Sequence, residues 1–239
     1  MIRSMPVVAI TLRSLLDRRR FWLMLLLAAV PVAITLLGRA VGDVSFSESV
    51  FDRLVIQTVL PLIALVFGTG ALGSELEDGT IVYLLTKPGR RFRIVLAKGL
   101  VAAGLTIALV LPATLLTGLI VATDEPDIMA PTVAYALAAA AGGTAYALGF
   151  MTLSSITSRA LSIGLGYVLL WEGVLAGLLP GTQTFSIRQA TLGLADALQG
   201  TTDAALDAGT SVGVLSVVIL GSLALGSWRM SRYQLRGGD

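Results

Sequence analysis

The sequence predicts an all-α polytopic membrane protein with six transmembrane helices. Hydrophobic residues make up 55% of the 239 residues and charged residues only 13%, well below the charged share of soluble domains. Apolar stretches near the ~20 residues that a helix needs to cross a bilayer occur six times. Cysteine and histidine are both absent, which excludes disulfides, thiol or imidazole catalysis and the common zinc and haem sites. We therefore expect neither catalytic residues nor a metal site.

The apolar stretches predict one transmembrane domain over residues 1–239. The spans lie at about 21–38, 54–73, 94–121, 131–153, 161–179 and 210–228. Six crossings put both termini on one side. Of the 17 basic residues, all but Arg39, Arg53 and Arg188 lie on that side, 14 against 3, and basic residues favour the cytoplasmic side. We expect cytoplasmic N and C termini in a bacterial plasma (inner) membrane.

Two segments outside the spans have helical character. Residues 1–20 are basic and predict an amphipathic helix in the inner headgroup region, with a frayed basic tail as the alternative; the apolar stripe is Ile2, Met5, Ala9, Leu12 and Leu16. Residues 180–209 are too long for a simple turn and predict a partly helical external insert. This insert either caps the outer mouth or is a solvated connector. We favour the cap because five apolar residues need burial: Phe185, Ile187, Leu192, Leu194 and Leu198.

The segment 74–93, SELEDGTIVYLLTKPGRRFR, carries seven charged residues between two spans, acids first and bases last. Ser74 and Glu77 have the spacing of a capping box, which predicts that a helix begins there. A short helix at the cytosolic surface would suit a binding site on a cytosolic partner. The alternative is an inside loop whose bases face lipid phosphates. Lys98, in the first turn of the third span, is expected to extend to the inner surface and anchor the segment.

The stretch GSELEDGTIVYLLTKPGRRFRIVLAKGL, Gly73 to Leu100, resembles the segment after the second span in permeases of the type 2 ABC transporter family, the export class. In that family this segment is a coupling helix that sits in a cleft of an ATP-hydrolysing subunit. The resemblance implies ATPase-docking residues at Glu75, Glu77, Asp78, Gly79, Thr80, Leu84, Leu85, Pro88 and Arg91. It also implies two copies of a separate ATPase that binds ATP and magnesium, and a second copy of this permease or a similar one.

The chain contains no G-x-x-x-x-G-K-[ST] loop, the motif with which an ATPase holds phosphates. We therefore expect no enzyme activity and no cofactor in this chain. Membrane lipid is an expected partner, and nucleic acid is not. The predicted function is ATP-driven export of an amphipathic or hydrophobic substrate, such as a drug, lipid or peptide. An ion-coupled secondary transporter is the alternative, although that class usually needs intramembrane charges.

Polar residues within the spans are candidates for a substrate pathway. Glu172 is the one carboxylate well within a predicted span. Burying an ionised acid in a membrane costs free energy, so such a residue is a candidate for a function. It either faces a pathway or forms hydrogen bonds beneath the external insert. The other candidates are Gln57, Thr58, Thr114 and Thr117. These could equally bond to other helices, or to backbone freed by Pro112. Small residues from Ala138 to Gly143 predict close helix approach.

Overall fold

The computed structural model describes residues 11–12, 15–16, 18–41, 50–77, 91–123, 126–176, 181–200 and 204–232. The regular structure in these ranges is entirely helical, which confirms the all-α part of the predicted fold class. The α-helices are α1 (Arg18–Val41), α2 (Leu60–Glu77), α3 (Arg91–Val121), α4 (Met129–Ile156), α5 (Ala160–Gly166), α6 (Ile187–Gln199) and α7 (Ala208–Arg232). Short 3-10 helices at Pro126–Ile128 and Thr182–Phe185 precede α4 and α6.

Two π-helical segments extend the α-helices. Val50–Val59 leads into α2, and Tyr167–Leu175 continues α5. A π-helix bonds each residue to the one five positions away, and such segments are rare. The Thr58 Oγ1 follows this spacing when it donates to the Arg53 carbonyl at 2.8 Å. Both segments carry residues that the sequence marks as pathway candidates.

Within the described ranges, five helical stretches are long and apolar enough to cross a membrane. They are Arg19–Val41, Val50–Gly73, Phe92–Val121, Met129–Ile156 and Ala208–Met230. The predicted fifth span contains a shorter apolar helix, Ala160–Leu175. At no more than 1.5 Å per residue this helix is shorter than the ~30 Å hydrocarbon core. The count of six crossings therefore stays a prediction.

Helix α4 is the centre of the bundle, since it packs against α2, α3, α6 and α7. Its buried positions are mostly alanine, glycine and small hydroxyl residues, which let neighbouring backbones approach. A Cβ atom added at Gly142 would lie 2.2 Å from Thr191 Oγ1 of α6. The Thr152 Oγ1 also donates to the Ser222 carbonyl of α7 at 2.8 Å. The predicted close approach at the fourth span is confirmed.

The first and last spans lie at the periphery of the described bundle. Of their most apolar 18 residues, 11% and 17% are buried, against 67% in the second and fourth spans. Large side chains such as Trp22 and Leu220 are 59% and 66% exposed. Helices α1 and α7 therefore present apolar surface outward, where lipid or a second copy can cover it.

The described part of the N-terminal segment is residues 11–12 and 15–16. The Leu16 N–H donates to the Leu12 carbonyl at 2.9 Å, as in a helix. Leu15, beside the predicted stripe, is 2% exposed, and its Cδ2 lies 2.8 Å from where a Cβ would stand at Gly70. Leu16, on the stripe, is 39% exposed, and its contact with the membrane surface stays a prediction. The rest of the predicted amphipathic helix lies outside the described residues.

The insert between the last two predicted spans contains α6, which packs against α4 and α7. The buried residues of α6 are Ile187, Ala190, Thr191, Gly193 and Ala195. In contrast, Phe185 is 74% exposed and Leu198 is 50% exposed. These two residues are not buried against the described part of the chain, because α6 turns its small residues toward α4 and Phe185 precedes α6. The cap at the outer mouth stays a prediction.

Candidate functional site

The charged segment begins inside a helix and not at a helix start. Helix α2 continues through Ser74 to Glu77, and α3 begins at Arg91. The predicted capping box is therefore wrong, because a capping residue needs non-helical backbone and Ser74 continues an apolar helix. Six predicted docking residues lie outside the described part of the chain, Asp78, Gly79, Thr80, Leu84, Leu85 and Pro88, as do the side chains of Glu75, Glu77 and Arg91. The docking role stays a prediction.

Lys98 joins the two helices that flank this segment. Its side chain is 1% exposed, and Nζ donates to the Ala71 carbonyl at 2.7 Å. The expectation that Lys98 extends to the membrane surface is wrong, because its Nζ bonds instead to a backbone carbonyl of α2. The bond holds α2 and α3 together near the point where the segment leaves them.

Glu172 lies in a closed hydrogen-bond cluster. Its side chain is 0% exposed. Oε1 accepts from the Tyr167 hydroxyl at 2.7 Å and from the Ile187 N–H at 3.0 Å, and Oε2 accepts from the Ser186 hydroxyl. Tyr167 and Glu172 are five residues apart in the π-helical segment, and this register brings their side chains together. The carboxylate is therefore satisfied although it is buried.

The same carboxylate stands at the start of α6. Ser186 is the N-cap of this helix, and its Oγ accepts from the Gln189 N–H at 3.0 Å. The N-terminus of a helix carries partial positive charge, so a carboxylate there is favourable. Glu172 therefore attaches the beginning of α6 to the helix Ala160–Leu175.

An ion pair attaches Arg188, the residue after Ile187 in α6, to the helical stretch Val50–Gly73. Arg188 Nη2 lies 3.0 Å from Asp52 Oδ1, and the two side chains are 13% and 34% exposed. Asp52 belongs to the π-helical segment before α2. We call Asp52, Glu172, Ser186, Ile187 and Arg188 the α6 anchor. It ties the insert to the second and fifth predicted spans at once.

Aromatic side chains close the cluster around Glu172. The rings of Tyr146 and Phe150 stack with centroids 5.8 Å apart, and Phe150 meets Tyr167 edge to face at 6.3 Å. Tyr146 is 1% exposed and lies near the same carboxylate. These contacts agree with the second interpretation of Glu172, hydrogen bonding beneath the insert. Its assignment to a substrate pathway stays a prediction, with no exposed surface to support it.

The other pathway candidates form no common site among the described residues. Thr114 and Thr117 are fully buried, and their hydroxyls donate at 2.8 Å to the carbonyls four residues earlier in α3. Neither bonds to Ala108, the residue whose carbonyl Pro112 leaves free. Thr58 is exposed and Gln57 half-buried. No hydrogen bond between described residues joins any two of the five candidates.

Several residues of the α6 anchor have weak or no signals in the sequence. Ser186 and Gln189 form an S-x-x-Q pattern, which is a helix-start signal. Asp52 and Arg188 are 136 residues apart, and no local pattern links them. Tyr167 gains its role only from the π-helical register, which apolar periodicity does not reveal.

Several apolar helices that pack through small residues define a multi-pass membrane protein. A sequence-family profile described as "ABC-2 family transporter protein" matches residues 16–173, which include the charged segment and Glu172. The chain belongs to this family, and the resemblance to type 2 ABC transporter permeases is confirmed. Membership implies a partnered ABC transporter system. No curated protein gives a significant match to the chain.

Proposed function

We propose that this chain is the transmembrane permease subunit of an ATP-driven ABC exporter with a separate ATPase subunit. Family membership over residues 16–173 supports the transporter class. The observation that carries the proposal is the charged segment 74–93, which begins in α2 and ends in α3, two helices joined by the Lys98 bond to Ala71. By resemblance, this stretch is the coupling helix, and the two helices receive its movement.

The mechanism follows from which elements are tied together. ATP binding would draw two ATPase subunits together, and the docked stretches would move with them. Because Lys98 bonds across α2 and α3, these helices would move as a pair. The second span is also tied to α6 through Asp52 and Arg188, so a displacement at one end of this span would reach the insert at the other.

The proposed topology has six crossings with cytoplasmic termini. The proposed assembly contains two permease copies in a bacterial plasma membrane. The short helix Ala160–Leu175 would be the fifth crossing, with the insert outside. The exposed apolar faces of α1 and α7 leave surface for lipid and for a second copy. The mostly apolar helical stretches favour an amphipathic or hydrophobic substrate, which would move outward.

Co-expression with an ABC ATPase encoded beside this gene tests the proposal. Glu77→Lys and Leu84→Ala should reduce complex formation or ATP turnover about tenfold, which corresponds to loss of a contact worth about 1.4 kcal/mol. Asp127→Lys likewise reverses a negative charge and Leu198→Ala likewise truncates a leucine, both at exposed positions elsewhere. These two variants should have little effect. If the first two variants behave like the second two, the docking hypothesis is wrong.

Transport assays in vesicles separate the proposal from the ion-coupled alternative. An ABC exporter loses transport when ATP is depleted and keeps it when ion gradients are dissipated. The opposite result would support a secondary transporter. The closed hydrogen-bond cluster around Glu172 favours the first outcome, because ion coupling requires an intramembrane charge that ions or protons can reach.

A further inference from the structure

A cleft of about 590 Å³ opens at the end of the bundle where the charged segment leaves α2 and α3. Five helices contribute to its walls: the start of α1, the ends of α2, α4 and α7, and the start of α5. In the proposed orientation this end faces the cytoplasm, at the level of the inner lipid headgroups. The cleft is distinct from the α6 anchor and contains none of the pathway candidates.

Two guanidinium groups line the cleft. Arg20 comes from α1 and Arg229 from α7, and both are exposed. Arg20 Nη1 lies over α2, 3.9 Å from the position of a Cβ at Gly70. In the described part of the chain neither arginine has a carboxylate partner. Two guanidinium groups that line one cleft favour a phosphate, whose oxygens match the planar guanidinium fork.

Hydroxyl oxygens line the same cleft. Thr69, Ser154 and Ser155 are buried and donate their protons to backbone carbonyls at 2.7, 2.7 and 2.6 Å. These three residues line the cleft, and each hydroxyl oxygen keeps a lone pair that can accept a further hydrogen bond. Such acceptors suit hydroxyl or amine groups attached to a phosphate and offer little to a bare anion.

The deeper walls are apolar. Leu23 and Met24 follow Arg20 by about one turn of α1, and Val66 of α2 precedes Thr69 by about one turn. These side chains lie further from the charged end of the bundle than the arginine does. A soluble phosphate compound makes no use of an apolar wall, whereas an acyl chain buries surface against it.

We propose that this cleft binds an inner-leaflet anionic phospholipid, with Arg20 and Arg229 contacting the phosphate. The headgroup hydroxyls would donate to the buried hydroxyl oxygens, and an acyl chain would lie along Leu23, Met24 and Val66. Phosphatidylglycerol has this combination of groups. The inference uses the proposed orientation but neither the ATPase nor export, so its failure would leave the proposed function standing.

The test is retention of phosphatidylglycerol by the purified chain, measured by native mass spectrometry after delipidation and re-addition of lipid. Arg20→Gln with Arg229→Gln should lower retention roughly tenfold or more, because charge-assisted bonds to phosphate are lost. Arg19→Gln with Arg93→Gln removes two exposed charges from the same end of the bundle. This control pair should change retention by less than about twofold, since neither side chain lines the cleft.

Two further experiments test whether the bound phosphate belongs to a lipid or to a soluble compound, and whether the loss of retention comes from misfolding. Soluble glycerol 3-phosphate should not displace the lipid, and displacement would overturn the lipid assignment. Ser158→Glu adds a negative charge at the exposed rim and should also lower retention without altering the fold. Equal loss in both arginine pairs, or loss in neither, would overturn the proposal.

Discussion

The Ile187 N–H donates to Glu172 Oε1 at 3.0 Å, so a carboxylate in the fifth predicted span meets the first turn of a helix in another segment. Ser186, which caps that helix, donates to the other carboxylate oxygen. One side chain therefore both satisfies a helix N-terminus and positions the insert on the fifth predicted span. This relationship gives Glu172 a structural role that requires no contact with a substrate.

Glu172→Ala should destabilise the protein and release the insert. The substitution leaves three donors without their acceptor, and such losses cost about 1 to 3 kcal/mol each, so we expect a decrease of about 3 kcal/mol or more in the free energy of unfolding. Thermal unfolding in detergent and hydrogen exchange over residues 187–199 measure this. Glu172→Gln keeps one acceptor and should lose less. Asp127→Ala, at an exposed position, is the control, and equal effects at the two positions would contradict the prediction.

The Arg188–Asp52 pair should show measurable coupling in a double-mutant cycle. The pair is partly exposed, so we expect a coupling energy of about 1 kcal/mol, at the upper end of the range for surface pairs. The variants are Asp52→Asn, Arg188→Gln and the double substitution, compared by unfolding in detergent. The exchanged pair, Asp52→Arg with Arg188→Asp, should recover part of the loss. Additive single effects would show that the contact does not stabilise the insert.

Lys98→Met should weaken the connection between α2 and α3. A hydrogen bond from a charged group is worth about 1.5 to 3 kcal/mol, and methionine keeps the apolar stem without the donor. We expect lower thermal stability and, in a complex with an ATPase, weaker stimulation of ATP turnover by substrate. Arg93→Met removes an exposed charge from the same helix and should be nearly neutral. A Lys98→Met protein as stable and as well coupled as the control would refute the bridging role.

Gly142→Ala should force α6 away from α4, because the added Cβ would lie 2.2 Å from Thr191 Oγ1. Overpacking of this kind costs about 1 to 3 kcal/mol. Gly104→Ala is a matched control in α3, where a Cβ meets nothing within 4 Å. That substitution should stabilise the helix by up to about 1 kcal/mol. Unfolding measurements that rank the two variants in the opposite order would contradict the packing described here.

Asp207 should make a pH-dependent contribution to the start of α7. Hydrogen bonds from the Thr210 side chain and backbone and from the Gly209 N–H hold the pKa of Asp207 below its usual value of 3.8. A depressed pKa means that this stability is complete above about pH 4 and is lost as the pH falls through the folded-state pKa. Asp207→Asn should therefore have a lower free energy of unfolding than the wild type at pH 7, and this difference should shrink as the pH falls. A difference that stays constant over this range would contradict the assignment.

The capping-box pattern has different outcomes at two places. At Ser74 and Glu77 the preceding apolar helix simply continues, because nothing interrupts its backbone before the charged residues. At Ser186 and Gln189 the same pattern begins α6, and Ser186 itself has extended backbone after the short 3-10 helix Thr182–Phe185. A four-residue pattern therefore predicts a helix start only where the backbone of its first residue leaves the helical conformation.

Lys98 and Glu172 show where side-chain predictions fail inside a membrane protein. Each was recognisable as an unusual charge in an apolar stretch, and the cost of burying a charge justified attention to both. Their partners, the Ala71 carbonyl and the start of α6, belong to other helices. Because helix packing sets those distances, spacing along the chain could not identify them.

The apolar runs and the distribution of basic residues by themselves determined an all-helical membrane protein and the position of its helices, since each crossing must satisfy its own backbone hydrogen bonds in lipid. The charged stretch after the second span likewise identified the transporter family. Only the tertiary structure decided which face of α6 is buried, how the carboxylate of Glu172 is satisfied and how Arg20 and Arg229 come to share a cleft. These features depend on contacts between distant segments, which arise only when small residues let the helices approach.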